Sequence, residues 1–427
     1  MMYRKVLWLA VLALIVSAVP LSAMAAPPQQ GGGEDYVVQS GDTLAELADT
    51  FYGDGLAYPA IVEATTQMAA TDSSYAVITD PGSIRVGQKL YIPSGEEAAA
   101  ILAGGTSVTS VEPAMPDVAP VPETAYGPPI DPEKGYLVEE ISDGLYWVTE
   151  GVYTLIFLTT GEGVIVVDAP PSIGENLLNA IAEVTDEPIT HVIYSHSHAD
   201  HIGAAGLYPA DATYIAHTET AAQLDRSLND PDRVMPYGAA SGGAPVPLPS
   251  VTFDEKYTLE VGNQVLDLEY RGANHEPGNI YVYAPKQKVL MLVDIIFPGW
   301  SPFKDLALAE EIPGYLRAHD EALSFDFDTF IGGHLGRPGT REDVETQKEY
   351  IQDIQANAAQ ALQTVDFFAI AQDVGFANPW LLFDTYLDTV AQECADLTEP
   401  KWIDRLGGVD VFTFDHCWKI AESLRID

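Results

Sequence analysis

Short apolar runs, each closed by turn residues, recur through the middle of the chain, and each run reads as one strand. Val164-Ile165-Val166-Val167 ends at Asp168, Pro188–Tyr194 ends at a polar loop, and Ala212–Ala216 ends at His217. Further on, Val265–Glu269 leads into a Gly- and Asn-bearing loop, Val289–Val293 ends at Asp294, and Phe330–Gly333 ends at His334. Runs this short, with Gly, Pro, Asn or Asp behind them, fit buried strands better than helices. The pattern changes after residue 340. Tyr350, Ile351, Ile354, Ala358 and Leu362 recur at helical spacing, which predicts one long helix over 341–365. Many aromatics follow in residues 366–427, read as a helical extension that packs them against the preceding domain and brings some to a substrate mouth.

Three segments come before this region. Arg4 and Lys5, the apolar stretch Val6–Val19 and Ala23-Met24-Ala25 have the order of a secretory signal over residues 1–25. Its apolar run is too short to span a bilayer comfortably, so no stable membrane span is expected after cleavage. Residues 36–93 form a small unit: the strand-like Tyr36–Ser40, a helical stretch stopped by Gly53, and the closing strand Val86–Pro93. Residues 94–132 hold an alanine run and then seven prolines, the composition of a partly extended linker. The expected domains are thus 1–25, 36–93, 94–132, 133–340 and 341–427.

Candidate chemistry concentrates at one loop. Ser195-His196-Ser197-His198-Ala199-Asp200-His201 places four metal-competent side chains within six positions, just past a buried strand, although the chain has only nine histidines. A strand fixes the direction of entry, and the loop can then wrap imidazoles and a carboxylate around a cation. His275, Asp294 and His334 also end apolar segments beside turn signals, so they are expected on loops at the same sheet edge. His191 within a strand, His319 in a helical stretch and His416 have no ligand-spaced partner, and His217 is at most a neighbour of the site.

The set resembles the metallo-β-lactamase superfamily, whose His-x-His-x-Asp-His hallmark matches His196, His198, Asp200 and His201 letter for letter. The resemblance covers about residues 135–340. It implies an αβ/βα sandwich with two metal ions at one edge. His196, His198 and His275 would hold the first ion, Asp200, His201 and His334 the second, and Asp294 would bridge them. Asp168 would support the ligands from behind, Asp200 would orient the nucleophile and carry its proton, and Asn279 could offer an amide to the substrate or act only as a turn residue. Zinc is the expected metal, with iron and manganese also suited to this donor set. Residues 36–93 resemble a LysM domain, a βααβ module that binds peptidoglycan- or chitin-type glycans, although Thr65 stands where that family usually has Asn.

The expected protein is a secreted or periplasmic, envelope-associated zinc hydrolase acting on an ester, lactone, thioester or amide-type bond of a small molecule. A β-lactamase proper is the first alternative. Those relatives often carry Cys at the place of Asp294 and Lys three residues on, where this chain has Phe297. A glycan-binding envelope protein with a merely structural metal is the second, and seven ligands disfavour it because structural zinc closes four. A formal charge of −43 excludes nucleic acid as a favoured partner. Cys394 and Cys417, the only cysteines, are either a disulfide formed after export or two buried thiols.

Overall fold

A computed structural model describes residues 33–39, 42–53, 55–69, 72, 74–75, 78, 84, 87–103, 118–232, 234–239 and 245–427. The signal reading over 1–25, the residues 104–117 of the proline-rich stretch and the loop residues 240–244 lie outside this description. The chain divides into two compact units, at Pro116 and Asp117.

In the first unit, β1 (Glu34–Val37) pairs antiparallel with β2 (Lys89–Ile92), and α1 (Leu44–Tyr52) and α2 (Tyr58–Ala69) lie between them in sequence. Leu47, Ile61, Leu90 and Ile92 form its core. Thr65 is fully buried, and its hydroxyl accepts from Tyr91 N at 3.0 Å and donates to Tyr91 O at 3.3 Å, so it ties α2 to β2. The expectation of a linker from residue 94 needs correction. Gly95–Ala103 is a helix, α3, with Ala98 buried, because an alanine-rich run pays little entropy to become helical.

The second unit is a four-layer sandwich. One sheet has seven strands in sequence order: β3 (Leu137–Ser142), β4 (Leu145–Thr149), β5 (Thr154–Thr159), β6 (Val164–Val167), β7 (Ile189–Ile193), β8 (Thr213–His217) and β9 (Val251–Phe253). It is antiparallel up to β6 and parallel from there on. The other sheet runs β10 (Lys256–Val261), β11 (Gln264–Glu269), β12 (Tyr281–Ala284), β13 (Val289–Met291) and β14 (Thr329–Ile331), with only the last pair parallel. Ile156, Ile193, Leu268, Met291 and Ile331 pack between the sheets. Both faces of the central strands are buried, which is why these strands are unbroken apolar runs instead of alternating ones.

Outer layers of helix complete the burial. Beside the first sheet lie α4 (Asn176–Val184), the short α5 (Ala199–Ile202) and α6 (Thr218–Asn229), with Leu177, Ile181 and Leu224 in the core there. Beside the second lie α7 (Lys304–Leu308), α8 (Ile312–Leu323) and the extension α9 (Arg341–Thr364), α10 (Phe367–Val374), α11 (Pro379–Trp402) and α12 (Val409–Ile426). Tyr315, Tyr350, Ile354, Val390 and Ile420 share one core with Leu290 and Phe330, so the extension is part of the sandwich. Cys394 of α11 and Cys417 of α12 form a disulfide with Cα atoms 5.8 Å apart, which settles the open pairing. Residues 118–125, expected as linker, also pack on this unit. Ala119 N donates to Asp410, and Ala125 O accepts from Trp300 Nε1 at 3.1 Å.

Among the described residues, no helix is long and apolar enough to cross a membrane.

Candidate metal centre

Parallel strands point their C-terminal ends one way, and the site is built on those ends. Asp168 follows β6, His196 follows β7 with His198, Asp200 and His201 on and before α5, Asp294 follows β13, and His334 follows β14. His275 lies in the β11–β12 connection at the same edge. Asp168 and Asp294 both take left-handed backbone conformations, φ 69° and 62°, which turn the chain sharply out of the strand. Asp tolerates this region better than most residues because its short polar side chain can bond locally.

The seven expected ligands converge as two groups. His196, His198, His275 and Asp294 offer donor atoms within 4.8 Å of one another, and so do Asp200, His201 and His334. Asp294 stands between them. Its Oδ2 lies 3.4, 3.3 and 3.3 Å from Nε2 of His196, His201 and His275, and its Oδ1 lies 3.0 Å from Nε2 of His334. His198 differs from the others by turning Nδ1 inward, 2.9 Å from His275 Nε2.

This arrangement fits cations. His196 Nε2 is buried and has no hydrogen-bond partner, although it points into the group. Burial brings the His196 pKa down to about 3 and holds His275 well below the usual imidazole range, so both present lone pairs, the form a metal binds. Burial alone would raise Asp294, but His201, His334 and His275 together keep it well below the usual carboxylate range. Burial also opposes a proton on His201, yet Asp294, Asp200 and Asp168 outweigh it and raise that group to about 9.

Further residues hold the donors in place. Ser195 Oγ lies 2.9 Å from His196 Nδ1, leaving Nε2 for the centre. Asp168 accepts from Ser195 N at 2.8 Å, and burial raises its pKa to about 6. Two supports carry no signal in the expected ligand set. Glu276 is buried, takes Ser197 N at 2.6 Å, and meets His198 Nε2 at 3.2 Å, which fixes the unusual ring orientation of His198. Its place directly after His275 is the only sequence clue. Tyr153, just before β5, donates to Asp200 Oδ2 at 3.2 Å, and burial, with Asp200 beside it, keeps the phenol protonated.

Asn279 does not reach the cavity. It is fully buried, and its amide donates to Asn274 Oδ1 and Val293 O, so it braces the loops of His275 and Asp294 instead of offering an amide to substrate. His217 is also elsewhere: it caps α6 by accepting from Glu219 N and meets Asp254 O at 2.8 Å. Buried His319 and His416 bond to Tyr315 O and to Phe303 O, away from the donors.

A cavity of about 410 Å³ opens on the donors. His198, Asp200, His275, Asp294 and His334 form its floor, and Phe297, Trp300, Phe303, Leu308, Val411 and Phe412 stand in its walls. The family model described as the metallo-beta-lactamase superfamily matches residues 148–334, a span that includes every donor. Residues 148–334 are thus similar to the metallo-beta-lactamase superfamily. The LysM domain model matches residues 36–69 of the first unit. Among curated proteins, the 2,4-dinitroanisole O-demethylase subunit alpha of Nocardioides sp. (strain JS1661) is 26% identical over 216 residues, covering 49% of this chain and 61% of that protein. The metallo-beta-lactamase type 2 of Elizabethkingia meningoseptica is 26% identical over 184 residues, 41% of this chain and 67% of that one. A solved metallo-beta-lactamase from Pontibacter korlensis aligns with a TM-score of 0.41 and 19% identity, over 50% of this chain and 97% of that chain. The match to the first curated relative thus spans about three-fifths of that relative's length. The extension from Arg341 onward lies outside the superfamily match.

Proposed function

We propose that this protein is a secreted, dinuclear metal-dependent hydrolase of small molecules, held near a glycan surface by its LysM unit. The observation that carries this reading is the convergence of seven donors in two groups that meet at Asp294, five of them on the floor of an open cavity. A structural metal would be closed by four ligands, whereas this floor faces a space large enough for a substrate.

His196, His198 and His275 would hold one ion, Asp200, His201 and His334 the other, and Asp294 both. Zinc suits the donors best, since imidazole and carboxylate are its common partners. Two such ions would supply Lewis acidity and water that ionises near pH 7 or so. The remaining work falls to the chain. Asp200, with a side chain 38% exposed, is the carboxylate most open to the cavity, and it takes up and returns the proton of the reaction. Tyr153 orients its Oδ2, Glu276 orients His198, and Asp168 holds the loop that starts at Ser195.

The bond cleaved is an ester, lactone, thioester or amide-type bond. The relative named for O-demethylation of an aryl ether adds that bond type to the ones worth assaying. One experiment tests the reading. The full chain is purified without chelator, its metal content is measured, and it is assayed on an aryl ester, a lactone, a thioester, a β-lactam, a phosphodiester and an aryl methyl ether. A parallel pull-down with peptidoglycan and chitin at moderate salt limits repulsion between acidic surfaces. We expect about two ions per chain, turnover of a carbonyl substrate and retention on one glycan. One ion or none, or no turnover by metal-loaded protein, removes the hydrolase; no retention removes the tether alone.

A further inference from the structure

We propose, resting on the hydrolase reading, that the site selects neutral substrates with an extended apolar acyl or aryl group, and that Val411 and Phe412 of α12 select them. The charges around the cavity carry the argument. Among the described residues, the only ionisable side chain lining it apart from the metal donors is Tyr153, and no described Lys or Arg lines it. Lys304, next to the wall residue Phe303, instead lies 3.7 Å from Asp415. A carboxylate or phosphate at the far end of a substrate would therefore lose its water with no cation to replace it. The net charge of −43 adds repulsion on approach.

The walls make the complementary case. Phe303, Leu308 and Val411 are 52%, 55% and 49% exposed, a cluster of large apolar side chains open beside the donors rather than packed away. The Phe303 and Phe412 rings meet edge to face with centroids 5.2 Å apart, and with Leu308 and Val411 they line the apolar side of the cavity, the slot proposed for the substrate's apolar group. Close backbone contact brings α12 to this place. Gly407 N donates to Gly299 O at 3.0 Å, Ser301 N donates to Gly407 O at 2.9 Å, and a Cβ on Gly407 would lie 2.6 Å from the Trp300 ring. Glycine is the residue that lets the extension come close enough to form one wall.

The test uses the metal-loaded full chain and 4-nitrophenyl esters from acetate to octanoate, with an ω-carboxylate counterpart of the octanoate. We expect kcat/KM to rise about fourfold per added methylene until the slot is filled, and the ω-carboxylate ester to be at least about tenfold poorer. Val411→Ser and Phe412→Ser should flatten the rise. Binding of octanohydroxamate and its ω-carboxylate counterpart, measured by calorimetry, gives a readout free of turnover. A neutral preference of about tenfold that shrinks in Val411→Ser supports the proposal, even if no ester is hydrolysed and the hydrolase reading itself falls. A flat chain-length profile, equal binding of the two hydroxamates, or an unchanged preference in both variants overturns it. Val411 is half exposed, so its variant keeps the test informative should Phe412→Ser fail to fold.

Discussion

The floor and the wall of the same cavity are made in opposite ways. Floor donors sit on loops after buried strands, His196 and His201 are fully buried, and the His196 and His198 rings are held from behind by Ser195 and Glu276. Wall residues come from Phe297–Leu308 and from α12, over a hundred positions away, and several are half exposed with no polar partner. The floor depends on orientation, to a fraction of an ångström, of groups that sheet geometry supplies. The wall depends on bulk and on the docking of one element against another. Damage to the floor should therefore abolish chemistry at constant shape, and damage to the wall should change selectivity at constant chemistry.

The strongest way to break that comparison is Asp200→Asn. Losing the proton carrier should lower kcat by about 10²–10⁴-fold while KM changes only a few-fold, because the wall is untouched. Steady-state kinetics on the best substrate checks this. Turnover equal to the parent's would refute the role given to Asp200.

A middle-sized effect concerns pH. Burial lowers His319 and His416 to about 4, below their value near 6.5 in an unfolded chain. The unfolded chain then takes up protons first, so stability is full above about pH 6.5 and falls as pH drops towards 4, by up to about 3 kcal/mol for each histidine. His416 bonds Tyr350 and Phe303 O, so the loss should be felt at the wall helix. Thermal unfolding from pH 7.5 to 4.5 measures it, and a midpoint that is flat over this range counts against the assignment.

The smallest effect sharpens the picture of the rim. Asp305, Leu306, Ala307 and Leu308 all take left-handed conformations with φ between 54° and 58°, an unfavourable choice for residues with a Cβ. Ala307→Gly should thus stabilise by about 1 kcal/mol, whereas Gly in an ordinary helix costs a similar amount. A lower melting temperature in this variant would show that the turn is held by packing of the Ala307 methyl group.

The same contrast explains what was legible in the sequence. The floor could be read because its donors follow strand-like runs at short, fixed spacings, and Asp294 and His334 stand where such runs stop. Glu276 and Tyr153 escaped because a lone carboxylate or phenol has no spacing to mark it; only the fold brings them to His198 and Asp200. Asn279 was legible as a position but not as a direction, since a four-residue offset from His275 does not say which way its amide points. The wall was illegible in principle. Phe412 has the same helical spacing as any core aromatic, and only the docking at Gly407 turns it towards the cavity. The individual buried strands were readable from the continuous apolar runs, and the sandwich only through the resemblance that the histidine motif carries; the boundary near residue 94 was not, because an alanine run can serve a spacer or a helix until something packs on Ala98.

The disulfide between Cys394 and Cys417 has a kinetic meaning for the cavity. It closes a segment 23 residues apart in sequence and joins α12 to α11 covalently, which disfavours the unfolded chain by about 3 kcal/mol in a loop-entropy account. Val411 and Phe412 sit one to two turns before Cys417 on the same helix, so swinging them away means opening against that cross-link as well as against the core. Local opening of such a segment is rarer than that of an untethered one. On the α12 side, an arriving substrate would then meet a standing wall instead of a door.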